Sequence, residues 1–383
     1  MRVDLLIARV PLRLAVRHAS ATRTYNNTGF LVLTTADGQR GIGEFLARGY
    51  VTGESAREAE GAARSLAPVL LEAALGDPLP WLEEARGRTR GMPGAHTAWC
   101  AAELAVLDAS ARARGVSIAH LFGREATTTG TVAYSAVYPL ADAPLLATLL
   151  AHFVGSLGVR EVKVKGTGRL EEDRSLLRAV RAAHPRGTVF RMDLNGSLAP
   201  DSADHYVEAI LEEGIRWLEQ PFPKEDLESS AALLERHGES LVLAADESVC
   251  SVADLDQALS AGAFNAVNVR VGKMGGLGES LRVLDTAQRA GVEVQLGCLV
   301  GETSVLSYAG LHFAAMARGL AHHEGCFGGA LVGWDVLDPP LAMGKGGEVP
   351  YSALPSVGLV PAWDMGGLEA HAHSLQRWVD GDA

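Results

Sequence analysis

Cysteine is scarce in this chain: Cys100, Cys250, Cys298 and Cys326 are the only four, and their spacing pairs none of them. Buried thiols in a reducing cytoplasm are the expectation. No apolar run reaches membrane-spanning length. The start, Met1-Arg2-Val3-Asp4, is interrupted by charges at Asp4 and Arg9, unlike a signal peptide. No G-x-G-x-x-G follows an apolar run, so nothing supports a dinucleotide site. Basic residues are outnumbered, 34 against 46 acidic, and the net charge of −12 argues against nucleic acid or an anionic membrane as partner. What remains is a 383-residue globular chain, 48% apolar with 43 glycines, long enough for more than one domain.

Its texture changes near residue 125. Before that point, Phe30–Thr35 and Arg40–Glu44 read as two short strands joined by a turn containing Asp37-Gly38. Ala-rich helical stretches follow over 54–74 and 96–114. Strands followed by helices, without alternation, predict a separate α+β module over 1–125. From Thr131 onward, short β runs alternate with amphipathic helices. Gly214, Gly238, Gly262 and Gly291, spaced 24, 24 and 29 apart, predict left-handed helix ends, one per unit. Strands near 131, 161, 188, 215, 241, 266, 292 and 321 make eight, which favours a (β/α)8 TIM-type barrel over 126–348. The Pro- and Gly-rich tail, 349–383, is expected to return to the first module.

Within the barrel region, Glu161-Val-Lys163-Val-Lys165 alternates charged and apolar residues with the period of a strand. Lys163 and Lys165 therefore face one way. Two ammonium groups so placed repel each other and resist desolvation, which favours the neutral amine, a base near neutral pH. Three later apolar runs each end in an acid: Asp193, Glu219 and Asp246, at separations of 26 and 27 residues. One unit is about that long, so the three carboxylates should share one rim of the barrel. An all-oxygen set suits a hard divalent cation, Mg²⁺ before Mn²⁺ or Zn²⁺. A lone strand-end acid is more often a helix cap or a surface charge; three in phase after a Lys-x-Lys strand are not readily explained that way.

Lys163-x-Lys165, Asp193-x-Asn195, Glu219-Gln220-Pro221, Asp246-Glu247-Ser248, Asn268-Val-Arg270-Val-Gly-Lys273-Met-Gly-Gly276 and Glu324-Gly325 together resemble the muconate-cycloisomerase subgroup of the enolase superfamily. The resemblance runs over nearly the whole chain. It implies a modified (β/α)7β barrel, an N-terminal capping domain and a C-terminal strap. It further implies Mg²⁺ on Asp193, Glu219 and Asp246, a small-molecule carboxylate on that metal, and Lys165 moving the α-proton through an enediolate. Such chemistry is general to the superfamily. Lys163 would hold Lys165 partly neutral, Asn195, Glu247 and Glu324 would support metal or substrate, and a homo-oligomer is the family expectation.

One departure stands out. Racemising members carry a second lysine where this chain has Arg270, and arginine, with a pKa above about 12, is a fixed cation rather than a base. One-base chemistry is therefore expected: cycloisomerisation, β-elimination as in a dehydratase, or an epimerisation rescued by Lys273, unless Lys273 is an ordinary loop lysine. The histidine of a mandelate-racemase dyad is missing from Gln295-Leu-Gly-Cys298, and His322 and His323 read as structural. Loops around Arg23 and Tyr25, and around Arg48 and Tyr50, either close over the barrel mouth or are plain surface turns. A Schiff-base aldolase using Lys165 leaves the phased acids unexplained. A non-catalytic carboxylate-binding barrel is the reading from outside enzymology.

Overall fold

The computed structural model describes residues 1–18, 21–89 and 91–380, without the side chains of 15–18 and 21–23. Strands β1 (Arg2–His18), β2 (Ala21–Thr34) and β3 (Arg40–Phe45) form an antiparallel meander. The turn at Asp37-Gly38 joins β2 to β3, with Gly38 at φ 84°. The expected hairpin is thus two strands of a larger sheet. The last strand, β13 (Ala372–Val379), pairs with β1, so the sheet order is β13-β1-β2-β3.

Helices Ala56–Leu70 and Ala95–Arg114 pack on this sheet, close to the expected spans, and a further helix, Pro78–Thr89, lies between them in sequence. Ser55 and Glu58 close a reciprocal capping box at the first helix. Small residues bring the layers together. A Cβ on Gly41 would lie 2.1 Å from the Ala105 carbonyl oxygen, and one on Gly43 would lie 1.9 Å from that of Ala101. Only glycine allows β3 so near the helix.

The second layer system is a seven-stranded parallel sheet of β5 (Ala136–Tyr138), β6 (Glu161–Lys165), β7 (Val189–Asp193), β8 (Trp217–Glu219), β9 (Val242–Ala245), β10 (Ala266–Val269) and β11 (Glu293–Leu296). Neighbouring strands follow chain order, as the right-handed βα winding of a barrel requires. The eighth predicted strand, near 321, is not a full strand but a single bridge at His323. Segment 321–324 nevertheless closes the ring. Ala321 N donates to Val294 O and Glu324 N to Leu296 O on one side, while His323 O accepts from Ser135 N on the other.

Two further expectations are corrected. The run at Thr131–Ala133 (β4) is not the first barrel strand; it pairs antiparallel with β12 (Glu348–Pro350). The chain changes partners between Tyr134, whose N–H meets Gly347 O, and Ser135, whose N–H meets His323 O. Continuous alternation over 131–138 hides that switch. Gly214, Gly262 and Gly291 are left-handed, but Gly238 is helical at φ −62°. Its N–H continues the helix by donating to Leu234 O, so no reversal is needed there. No helix among the described residues is long and apolar enough to cross a membrane.

Candidate active site

Parallel register sets out the site. Lys165 on β6 lies beside Asp193 on β7, which lies beside Glu219 on β8. Glu219 pairs with Ala244, and Asp246 follows two residues later, so the pleat returns it to the same side. Asp193, Glu219 and Asp246 are fully buried, and each offers an oxygen within 4.8 Å of the others. Asp193 Oδ2 accepts no hydrogen bond although it is buried. Three converging hard oxygens, one without a hydrogen bond, fit a divalent cation.

Cations surround this cluster. Lys163 Nζ donates to both carboxylate oxygens of Glu219 at 3.1 Å, and stands 2.7 Å from Glu324 Oε2. Lys165 Nζ donates to Asn195 Oδ1 at 2.6 Å and lies 3.2 Å from Asp193 Oδ2. Burial alone would lower the Lys163 ammonium, but Glu219, Glu324 and Asp193 outweigh it and the net shift is upward. The expected mutual depression of the lysine pair therefore fails at Lys163. Carboxylates, not its fellow lysine, dominate its surroundings. Glu219 shows the converse: burial pushes it up, yet Lys163, Arg270 and Arg191 hold it below the ordinary carboxylate range.

Arg270, just past β10, donates from Nη2 to Asp246 Oδ2 and lies 3.7 Å from Glu219 Oε1. Burial opposes its charge, but Glu219 and other nearby oxygens raise its pKa further. Lys273 is not an exposed loop lysine, and it does not line the cavity that opens above the acids. It is fully buried on the short helix Val271–Met274, and its Nζ donates to Asp246 O, Asp246 Oδ1 and Asn268 O at 2.6, 2.9 and 2.7 Å. Lys273 holds the Asp246 carboxylate from behind. Asn195, left-handed at φ 43°, takes the Lys165 contact on one side and donates to Glu247 Oε1 at 3.1 Å on the other. Burial, and next the charge of Asp193, push Glu247 up to about 7.

Several residues of the site had no role assigned to them from sequence. Gln295 Nε2 donates to Glu219 Oε2 at 2.6 Å, and its Oε1 accepts from Arg191 Nη1, also at 2.6 Å. Asn268 Nδ2 donates to Glu219 Oε1 at 2.8 Å. Gln220 Oε1 accepts from the N–H groups of Asp246 and Ser248, tying the end of β8 to the turn that carries Asp246. A signal existed for Arg191. It precedes Asp193 by two on β7, so alternation sends it inward beneath the acid.

A cavity of about 130 Å³ opens above this floor, lined by Lys163, Lys165, Asn195, Arg270, Glu324 and Tyr50 among others. Tyr25 does not reach it. That side chain is 42% exposed, with the Arg9 guanidinium 4.3 Å from its ring centroid, on the outward side of β2. The side chain of Arg23 lies outside the described residues. His322 contacts Glu161, at the far end of β6 from Lys165, and serves structure.

Residues 146–364 match the family described as Enolase C-terminal domain-like, and residues 2–123 match the mandelate racemase / muconate lactonizing enzyme N-terminal domain. The chain is 31% identical over 355 residues to the hydrophobic dipeptide epimerase of Citrifermentans bemidjiense, covering 90% of each. It is 28% identical to a chloromuconate cycloisomerase of Cupriavidus necator, covering 85% of this chain and 86% of the other. In fold it resembles the dipeptide epimerase of Cytophaga hutchinsonii solved with Mg and D-Ala-L-Val. The TM-score is 0.82 at 18% identity, over 99% of this chain and 98% of that one.

Proposed function

The chain belongs to the mandelate racemase / muconate lactonizing enzyme family of the enolase superfamily, and on that premise we propose that it is a Mg²⁺-dependent isomerase in which Lys165 removes the α-proton of a small carboxylic acid. Its relatives' names point to dipeptides, N-succinyl amino acids and chloromuconate; with Arg270 in place of a second base, amino-acid derivatives are expected to exchange their α-proton from one face rather than to invert freely. The observation that carries the reading is the register row: Lys165 beside Asp193 beside Glu219, with Asp246 completing an all-oxygen set.

Asp193, Glu219 and Asp246 would hold the ion, with Mn²⁺ a workable substitute. Bound there, it would supply Lewis-acid stabilisation of the charge that grows on the substrate carboxylate, worth several kcal/mol. The remaining work belongs to the chain. Lys165 Nζ faces the cavity and moves the proton, while Asn195 aims it through their 2.6 Å hydrogen bond. Lys163, paired to Glu219 and Glu324, and Arg270, paired to Asp246, add fixed positive charge toward the developing anion. Gln295 and Asn268 orient Glu219, and Lys273 orients Asp246. Burial of Lys163, Arg270, Gln295, Asn268 and Lys273 keeps bulk water from these groups and makes their electrostatic contributions larger, while Lys165 and Asn195 stay partly exposed.

Incubation with Mg²⁺ and dipeptides or N-acyl amino acids in deuterated buffer tests the reading. The α-proton should exchange, and Lys165→Ala should slow exchange by roughly 10²–10⁴-fold while still binding Mg²⁺ in calorimetry. Exchange at the parent rate in Lys165→Ala would overturn the assignment.

A further inference from the structure

The cavity has two unlike ends. Its charged residues, Lys163, Lys165, Arg270 and Glu324, stand together at the acid cluster, and each already has a partner of opposite charge within the protein. The remainder is built chiefly of Leu14, Leu145, Leu149, Phe153, Phe327 and Leu331. We propose that this second end is a specificity wall for an uncharged, apolar substituent of the substrate, aliphatic or aromatic. The inference rests on the carboxylate-binding reading above and names the substrate class within it.

The wall comes mainly from the barrel. Leu145 and Leu149 lie on the helix Ala143–Leu150, which runs directly into a π-helix, Ala151–Leu157. Full π-turns are rare and tend to occur at functional sites. This one carries Phe153, which is held on two sides. Its ring meets Tyr138 of β5 edge-on at 5.6 Å and Phe327 of the closing loop at 6.2 Å. Rings fixed in this way present a rigid apolar surface without ordering cost on binding. The capping domain supplies only Leu14 and Tyr50 to the cavity among the described residues.

Polar atoms at this end offer no counter-charge. His152 is turned toward its neutral form by burial. A lysine-, arginine- or glutamate-type substituent entering here would lose its hydration without gaining a partner, which a buried charge tolerates poorly. An apolar substituent gains by leaving water.

The test compares N-acetyl-leucine and N-acetyl-phenylalanine with N-acetyl-lysine and N-acetyl-glutamate, all with Mg²⁺, by α-proton exchange and by calorimetric binding to the parent protein. The apolar pair should surpass the charged pair in kcat/KM by roughly 10- to 200-fold, the range a hydrophobic pocket achieves. Phe153→Ala should raise KM for the phenylalanine derivative with kcat little changed. Leu145→Glu, at a half-buried position that tolerates charge, should shift preference toward the lysine derivative; Leu145→Gln, which should not, checks that charge is responsible. Charged derivatives exchanging as well as apolar ones, or preferences indifferent to both positions, would overturn the wall. If none of the four exchanges, the Lys165 chemistry is at fault, and calorimetry still decides: tighter apolar binding supports the wall, and equal binding sinks it.

Discussion

Arg270 donates to the carboxylate of Asp246, fixing a cation four strands along the sheet from the strand that carries Lys165. Lys273, the other candidate for a second base, is spent on three acceptors behind Asp246 and does not line the cavity. Of the cations lining the cavity, Lys163 and Arg270 are each paired to buried acids and held charged, which leaves Lys165 as the one candidate base. Fast α-proton exchange should come from a single enantiomer. Arg270→Lys, which can lose its proton, should allow exchange from the other enantiomer as well, with a gain on the order of tenfold or more for that isomer. Proton NMR of both enantiomers in deuterated buffer checks this, and equal rates in the parent would refute it.

Glu219 is the hub of the buried charge network, touched by Lys163, Arg270, Gln295 and Asn268. Glu219→Leu leaves Lys163 and Arg270 without their shared counter-charge. The variant should lose roughly 3–5 kcal/mol of stability in metal-free buffer, measured by urea unfolding, and should show no Mg²⁺ heat in calorimetry. Adding Lys163→Met should recover part of the stability but none of the metal binding.

The cap is held by close approach. A Cβ on Gly43 would overlap the Ala101 carbonyl, which belongs to a helix buried on nearly every side. Gly43→Ala should cost at least 1–3 kcal/mol, seen as a lower thermal midpoint. Gly38→Ala has open space and costs only the strain of its positive φ, so it should be the milder change.

Glu44, on β3, accepts from Thr303 and Leu306, joining cap to barrel. Burial raises its pKa from 4.5 to about 7, and those donors offset only part of the effect. Between these values the folded chain keeps a proton that the unfolded chain has released, so this group's contribution to stability falls as pH rises through the window. Glu44→Gln removes the titration. Relative to the parent, the variant should gain on the order of 1–3 kcal/mol between pH 5 and pH 8. Urea unfolding at both pH values gives the difference, and a pH-independent difference would contradict the assignment.

Much of the site was readable from strand periodicity. Period 2 put Lys163 and Lys165 on one face, and unit-length spacing put Asp193, Glu219 and Asp246 on one rim, where register then joined them. Less readable were contacts between side chains far apart in the chain. Gln295 reaches Glu219 across 76 positions, and Arg191 reaches Gln295 across 104. Period 2 sends Arg191 inward with Asp193, but local spacing names neither of these partners. For Tyr25 the pattern left two readings open, and its exposed side chain on the outer face of β2 fits the surface one.

The sequence by itself determined the alternation of strand and helix, the family and the inward set of lysines and acids, because these depend on periods of 2 and of one βα unit along the chain. Tertiary structure decided which partner each buried charge meets: Lys163 is held charged by acids, Lys273 is sequestered behind Asp246, and Arg270 is seated on it. It also decided that the ring closes through a bridge at His323 and that a π-helix walls the cavity. The physical reason is that charge state and specificity depend on distances through space, whereas local pattern constrains only direction along a strand or helix.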